Sequence, residues 1–288
     1  MISIVILTFN SRKLIKNCLD SIYTQDYPDI EVIIVDNGSK DSTVVFIKEN
    51  YPRVILIENK ENLGTCKARN QGIKMSKGEW ILTLDCDTIL KNNFISIILE
   101  IINDLPLNIG ILQPRILNSD EKTIYSCGIF LSWLRKFYDI GKGEYDNEKF
   151  NRSQFIFGAC SAAAVYRRKM LQETREPTGY FDERFFFLVE DVDLSWRAKK
   201  KGWEALYCPD SICYHLGNSS GYDKKLRQYL CFRNRYFSIL KNENINAMKN
   251  IIIVLLYDLP RLFYLMLTNS YIWKALREIK VILSEINF

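Results

Sequence analysis

The first hundred residues alternate between apolar runs of strand length and stretches with helical spacing. Ile2–Leu7 is apolar and β-branched almost throughout. Leu14, Cys18, Leu19 and Ile22 share one helical face, which predicts a helix over Ser11–Tyr23. Ile30–Val35 predicts a second strand, ended by the turn signal Asp36-Asn37-Gly38-Ser39. The alternation continues with a helix over Asp41–Glu49, capped by Asp41 or Ser42, and a strand over Val54–Ile57. A helix over Gly64–Met75, a strand over Glu79–Leu84 and a helix over Asn92–Asn103 complete it. Apolar strands separated by helices predict βαβ units and a parallel sheet covered on both faces. Ligands bind at the carboxyl ends of strands in such sheets. Polar residues recur at those ends: Thr8 and Asn10, then Asp36, then Asp85 and Asp87.

From about Ile109 the pattern changes. Ile109–Leu117 predicts a strand, and the polar, aromatic stretch Asn118–Asn151 predicts hairpins or a loop over the site. Phe155–Tyr166 is apolar and rich in small residues, which suit either a close ligand or tight helix–sheet packing. Val192–Lys201 predicts a helix with acids at its start, basic residues in its last turn and Gly202 beyond. Ala205–Tyr207 and Ile212–Tyr214 predict short strands, and from Tyr222 the chain is amphipathic and helical to its end. These elements divide the chain into an α/β domain over 1–222 and a helical extension over 223–288.

The 288 residues are 48% hydrophobic and 25% charged, which excludes disorder. A net charge of +5 is modest and gathers in the C-terminal half, as in Arg197-Ala198-Lys199-Lys200-Lys201. It predicts no nucleic-acid partner; an anionic substrate, a membrane surface or a solvated face would account for it. The eight cysteines form no CxxC pair, and no basic leader precedes the first strand, so they read as reduced thiols of a cytoplasmic protein. The nearest approach to a membrane span, Ile251–Leu267, is interrupted by Asp258, Pro260 and Arg261.

Three constellations carry chemistry. Trp80-Ile81-Leu82-Thr83-Leu84-Asp85-Cys86-Asp87 ends a buried strand in two carboxylates. They can cap a turn or hold a hard divalent cation, and the lone His215 offers a further ligand for Mn2+ or Mg2+. Phe181 to Arg197 carries an aromatic patch into Glu190-Asp191 ahead of a helix. Those acids can favour the helix dipole, or a carboxylate held against aromatics can accept a proton. Asp193, one turn inward, reads as a cap partner. Gly64 and Thr65 open the third helix, where backbone N–H groups attract anions, with Lys67 and Arg69 in reach of a phosphate.

These motifs, in this order, resemble the family 2 glycosyltransferases of GT-A fold. The resemblance runs from Ile2 to about His215. It rests on Val5-Ile6-Leu7-Thr8-Phe9-Asn10, Val35-Asp36-Asn37-Gly38-Ser39, Asn62-Leu63-Gly64 with Ala68-Arg69-Asn70-Gln71-Gly72, Leu84-Asp85-Cys86-Asp87, Gly158-Ala159, and Phe181-Asp182-Glu183-Arg184-Phe185-Phe186 leading into Glu190-Asp191. The later motifs are most similar to a rhamnosyltransferase-like subgroup that builds cell-surface polysaccharide. The chain departs from many relatives at Val189, where they carry a small or polar residue.

The resemblance implies a Rossmann-like, mostly parallel sheet flanked by helices. It implies inverting transfer of a hexosyl group from a UDP-, dTDP- or GDP-linked donor to a glycan or lipid-linked acceptor. Thr8, Asn10, Asp36 and Gly64 would meet the nucleotide, Arg69 the diphosphate, and Asp85 the ribose or a metal-bound water. Asp87, with Asp85 and His215, would hold Mg2+ or Mn2+. Asp191 would be the general base and Glu190 would position it; Gly158 and Ala159 would border the sugars. Arg233-Asn234-Arg235-Tyr236 resembles an arginine–asparagine motif that follows the core in that subgroup.

The C-terminal helices read as a peripheral attachment to the inner face of the cell membrane at Ile251–Leu267, with Trp273, Lys274 and Arg277 at the headgroups, or as packing onto the core or a second copy. Two other functions fit parts of the pattern. Leu82 to Leu90 is similar to the nucleophile motif of haloacid-dehalogenase-like phosphatases, but that motif normally sits on the first strand and leaves Thr8, Asp36 and Gly64 without roles. A non-catalytic nucleotide-sugar binding protein would have no use for both acidic pairs.

Overall fold

The computed structural model describes residues 1–217, 221–243 and 251–286. Strand β1 (Ile2–Thr8) lies between β2 (Ile30–Asp36) and β4 (Trp80–Asp85), parallel to both, and β3 (Ile55–Glu58) extends the sheet parallel to β2. Beyond β4 the direction reverses. Strand β11 (Ala163–Arg167) runs antiparallel to both β4 and β6 (Ile109–Asn118), and β12 (Glu204–His215) lies parallel to β6. Short strands β5 (Thr88–Leu90) and β10 (Gln154–Ile156) pair with β12, and β7 (Ile124–Ser126) pairs with β6. The sheet is thus mixed, parallel in its first half, as the βαβ pattern predicts.

Alternation along each strand sorts side chains to two cores. Ile4, Ile6, Ile34, Leu82 and Leu84 face one layer, covered by helices α1 (Ile15–Tyr23) and α4 (Phe94–Asn103). Val5, Ile33 and Ile81 face the other, covered by α3 (Thr65–Met75) and later elements. Helix α2 (Thr43–Asn50) lies between β2 and β3 in the chain. Helix α3 approaches β1 closely because Gly72 has no side chain. A Cβ there would stand 2.3 Å from Val5 Cγ1.

Three departures from the sequence pattern bear on the site. The two short strands predicted near the end of the α/β unit are one strand, β12, irregular between Cys208 and Ile212. Pro209, which lacks an N–H, falls in that irregularity. The single strand delivers His215 to the sheet's carboxyl edge. The apolar run Phe155–Tyr166 is split: β10 and β11 flank a wound segment holding Cys160 and Ser161. Within Asn118–Asn151, β8 (Ile129–Leu131) and β9 (Phe137–Asp139) form a hairpin.

After α5 (Arg168–Glu173), helix α6 (Glu190–Lys200) starts two residues earlier than its pattern predicts. Asp193 is not a cap: it is fully buried, bonds Arg197 Nε at 2.9 Å and Asn242 Nδ2 at 2.8 Å, and so ties α6 to α7 (Lys224–Asn242). Helix α8 (Ile251–Thr268) is long and apolar enough, by length and composition, to cross a membrane, with mean hydropathy 1.8 and 17% of it buried. The three residues that interrupt the sequence pattern do not break this helix. Asp258 turns inward to Arg235 Nη1 at 2.6 Å, and Pro260 sits in the first turn after the π-helical stretch Val254–Asp258. Helix α9 (Ile272–Ile286) packs on α7, where Glu278 Oε2 accepts from Tyr229 and Arg233. Residues 218–220, part of the loop predicted after His215, lie outside the described residues, as do 244–250 and 287–288 of the predicted helical tail.

Candidate functional site

Asp85 is the last residue of β4, level with Leu7 of β1. A tight turn carries the chain through Asp87 into β5, whose Thr88 pairs with His215 of β12. Leu216 N donates to the Asp87 carbonyl at 3.1 Å, which pins the end of β12 to that turn. Sheet register therefore brings Asp85, Asp87 and His215 together, with one ligand atom from each within 4.8 Å of the others. His215 Nε2 stands 3.2 Å from Asp87 Oδ1 and 3.8 Å from Asp85 Oδ2.

The trio fits a divalent cation. Asp87 is 1% exposed, and among the described residues no hydrogen bond of good geometry reaches either of its oxygens. Burying a carboxylate without donors is costly, and a cation removes that cost. Two carboxylates and one imidazole form a donor set suited to Mn2+ or Mg2+. Burial disfavours the imidazolium, yet Asp85 and Asp87 together lift the His215 pKa to about 9. The metal-free site thus attracts positive charge. The Tyr125 ring packs against His215, centroids 4.3 Å apart and tilted by 54°, and shields it.

Arg69, from α3, joins this trio to a second acidic pair. It is 3% exposed. Its Nη2 donates to Asp85 Oδ1 at 2.9 Å and its Nη1 to Glu190 Oε1 at 2.6 Å. Burial alone would raise the Asp85 pKa, but His215 and Arg69 outweigh it and hold the carboxyl below its usual value. Asp191 lacks such a partner. Burial, then the charges of Glu190 and Asp139, raise its pKa to about 7. Ser161 N at 3.3 Å and Val192 N at 2.8 Å orient its two oxygens. A half-buried carboxylate with this pKa is suited to take a proton at neutral pH.

A cavity of about 450 Å3 contains Asp85, His215, Arg69, Glu190 and Asp191 in its walls. Several residues expected at the site stand elsewhere. The residues lining the cavity include Cys160, Ser161 and Ala162, not Gly158 and Ala159. Gly158 instead packs against α6, where a Cβ would lie 2.0 Å from Ser195 Oγ, and Ala159 is buried. Gly64 and Thr65 do not present a free anion site. The Phe186 carbonyl occupies that helix N-terminus, accepting from Thr65 N at 2.7 Å. A Cβ on Gly64 would meet the Phe186 ring at 2.5 Å. Lys67 is exposed outside the cavity, whereas Arg69 uses its guanidinium on carboxylates. Thr8 and Asp36 are buried side by side at the ends of β1 and β2. The Asp36 carboxylate accepts from Gly38 N, Ser39 N and Ser39 Oγ at 2.5–3.1 Å, and Asn10 Oδ1 accepts from Lys40 N at 2.7 Å. These two residues shape the adjoining loop.

The family model described as Glycosyl transferase family 2 matches residues 3–175. The chain belongs to that family. Glycosyltransferase GlyG of Streptococcus pneumoniae is 34% identical over 212 residues, 67% of this chain and 67% of its own length. A poly-beta-1,6-N-acetyl-D-glucosamine synthase of Staphylococcus epidermidis is 27% identical over 222 residues, 75% of this chain and 50% of its own length. The chain thus spans about half the length of the synthases it matches. Among solved structures, residues 1–349 of S. aureus TarS superimpose with a TM-score of 0.57 at 20% identity, over 96% of this chain and 79% of that one. A mannosyltransferase of Pyrobaculum calidifontis, solved with GDP-Man and Mn2+, gives 0.59 at 19% identity, over 99% and 74%. That likeness establishes the GT-A architecture. None of these names specifies rhamnose.

In this family 2 glycosyltransferase the Asp191 loop is strained. Phe186, Leu188 and Val189 take φ of 64°, 69° and 71°, which costs about 1–3 kcal/mol each for such side chains. Val189, where the chain departs from the family resemblance, has a left-handed backbone that a β-branched side chain rarely adopts. Helix α7 holds the loop. Asn234 Nδ2 donates to the carbonyls of Phe185, Phe187 and Leu188 at 2.7–3.0 Å, and Arg233 Nη2 donates to those of Arg184 and Phe185. The arginine–asparagine pair was visible in the sequence; its use as a clamp was not. Ser161, Tyr125 and Asp139 carried no sequence signal.

Asn234→Ala removes the clamp and leaves buried carbonyls unpaired. It should lower stability in urea denaturation by about 1–3 kcal/mol and reduce turnover at least about tenfold. Unchanged turnover would refute the positioning role. Mn2+ should raise the Tm of the wild-type protein, measured with and without EDTA. Asp87→Asn should remove most of that rise; an equal rise in both proteins would rule out the metal assignment.

Proposed function

We propose that the chain catalyses inverting, cation-dependent transfer of a hexosyl group from a nucleotide-diphosphate donor to a hydroxyl of a glycan or lipid-linked acceptor, in cell-surface polysaccharide or glycoconjugate synthesis. The supporting observation is a single cavity containing Asp85 and His215 of the metal trio and a carboxylate with raised pKa, joined through Arg69. Asp191 takes the proton of the acceptor hydroxyl while its oxygen bonds to the anomeric carbon. The bond from that carbon to the donor phosphate oxygen breaks, and its electron pair leaves on the diphosphate. Asp85, Asp87 and His215 would hold a Mg2+ or Mn2+, which would supply Lewis-acid stabilisation of the charge on the leaving diphosphate. Glu190 fixes Arg69 and, through its own charge, keeps Asp191 basic. Thr8, Asn10 and Asp36 border the nucleoside.

A thermal-shift screen of UDP, dTDP and GDP and their sugars, rhamnosyl donors included, with and without Mn2+ tests donor class. No cation-dependent shift for any of them would contradict the assignment. Asp191→Asn should cut turnover by about 10²–10⁴-fold and retain nucleotide binding. Because the ionised form is the base, wild-type turnover should rise with pH through about 7. A profile flat from pH 5.5 to 8.5 would exclude Asp191 as the titrating base.

We further assign residues 1–222 as the transferase domain and 223–288 as a helical extension that meets the inner face of the cell membrane. Leu256, Phe263 and Leu267 are 69%, 66% and 72% exposed, and Trp273 and Lys274 stand beside them in sequence on α9. The full chain should float with vesicles containing anionic lipid, and Phe263→Glu with Leu267→Glu should abolish flotation. Flotation unchanged by the pair would overturn the attachment. Loss of a dimer instead, seen by light scattering, would assign the face to a second copy.

A further inference from the structure

Arg69 touches the metal trio, yet its two terminal nitrogens donate to carboxylates, Asp85 and Glu190. It has no charge to spare for a ligand. A divalent cation at the trio would likewise be matched by Asp85 and Asp87 themselves. A nucleotide-sugar diphosphate is a dianion, and breaking its bond to the sugar adds a further negative charge. The reaction proposed above therefore needs positive charge from another group in the cavity wall.

Lys142 stands where that charge is needed. It lines the cavity, and its Nζ lies 4.7 Å from the ring centroid of Tyr125. The Tyr125 ring in turn packs on His215. The backbone bearing Lys142 is fixed. Gly143 N donates to the Ile124 carbonyl and Ile124 N to the Glu144 carbonyl, each at 2.8 Å. The turn is thus sewn to β7, the strand that carries Tyr125. Gly141 and Gly143, on either side, both take φ of 77°, so Lys142 is the one side chain that projects from a tight turn.

The side chain itself is lightly held. Lys142 Nζ donates to Asp139 Oδ2 at 2.8 Å, and the two side chains are 56% and 21% exposed. Water competes for both charges of such a pair, so it is readily exchanged for another partner. Charge-assisted bonds to phosphate are among the strong ones. Other basic groups of the wall are placed differently. Arg235 is buried on Asp258, and Lys136 and Arg261 gather at Tyr257 of α8.

We propose that Lys142 is a catalytic residue: its ammonium leaves Asp139 for the terminal phosphate of the departing nucleoside diphosphate and offsets the charge that forms there. It transfers no proton. The electron pair of the broken bond stays on the phosphate oxygen, and Lys142 donates a hydrogen bond to it. Asp139, released, is free to accept from a sugar hydroxyl. This deepens the transferase reading and rests on it.

The test measures binding to the full chain by calorimetry with Mn2+. The ligands are the nucleoside diphosphate selected by the screen and the matching monophosphate. Lys142→Gln should weaken the diphosphate about tenfold and leave the monophosphate within about twofold. Lys142→Arg should restore most of the affinity. Asp139→Asn should tighten the diphosphate about threefold, and should no longer do so in the Lys142→Gln background. In turnover, Lys142→Gln should lower kcat at least about tenfold and change the donor KM less, because the charge it meets is greatest in the transition state. Lys142 is exposed, so these substitutions leave the fold intact, and an unchanged Tm checks this. Equal diphosphate affinity in wild type and Lys142→Gln overturns the proposal. So does equal weakening of both nucleotides, which would make Lys142 part of the cavity's construction. An equal gain from Asp139→Asn with and without Lys142 overturns the exchange of partners. A wild-type chain that binds no nucleoside diphosphate with Mn2+ overturns the transferase reading and this inference together, whereas wild-type binding that Lys142→Gln leaves unaltered overturns the inference alone.

Discussion

One buried guanidinium sets the terms for the rest of the site. Arg69 sits inside the protein with a carboxylate on either side, Asp85 from the parallel half of the sheet and Glu190 from a helix more than a hundred residues later. A charge in that position requires both partners, since removing either leaves an uncompensated ion. The interaction therefore fixes α3, β4 and the start of α6 relative to one another. It also divides the acids into two kinds. Asp85 and Glu190 are held by Arg69, whereas Asp87 and Asp191 are left without a basic side chain in salt-bridge contact other than His215. The unmatched pair are the two to which the proposed function gives the cation and the proton.

The second constraint is mechanical. Asp191 follows three non-glycine residues of positive φ, a conformation the local chain would abandon if free. Two anchors hold it. Thr65, at the start of α3, takes the Phe186 carbonyl, and Asn234 of α7 takes three more carbonyls. The helix N-terminus that looks like an anion site in sequence is thus used to secure the loop before Asp191. Helix α7 is part of the site's construction even though its Asn234 touches only backbone.

Much of the first half was legible because its strands are buried on both faces. Continuous apolar runs between amphipathic helices admit few other arrangements, and Asp85 and Asp87 at a strand end follow from them. His215 was legible as a candidate but not as a neighbour of Asp87, because that depends on the register of β12 against β5. Reading one strand as two hid this register, since Pro209 interrupts the period that marks a single strand. Gly64 and Gly158 were ambiguous in the sequence for a common reason. A glycine marks close approach, and sequence alone does not say whether a ligand or another part of the chain approaches. Here Phe186 and Ser195 do. In α8, the charges that interrupt the hydropathy pattern were visible, but the side to which they turn was not.

The length of β12 has a consequence for biosynthesis. Its His215 completes a set of candidate ligands whose other members lie about a hundred and thirty residues earlier, and one of the two anchors of the loop before Asp191, Asn234, comes later still. A nascent chain can form the parallel half of the sheet without being able to hold either the cation or the base in place. Both groups are in place only once the last strand and the following helix have docked.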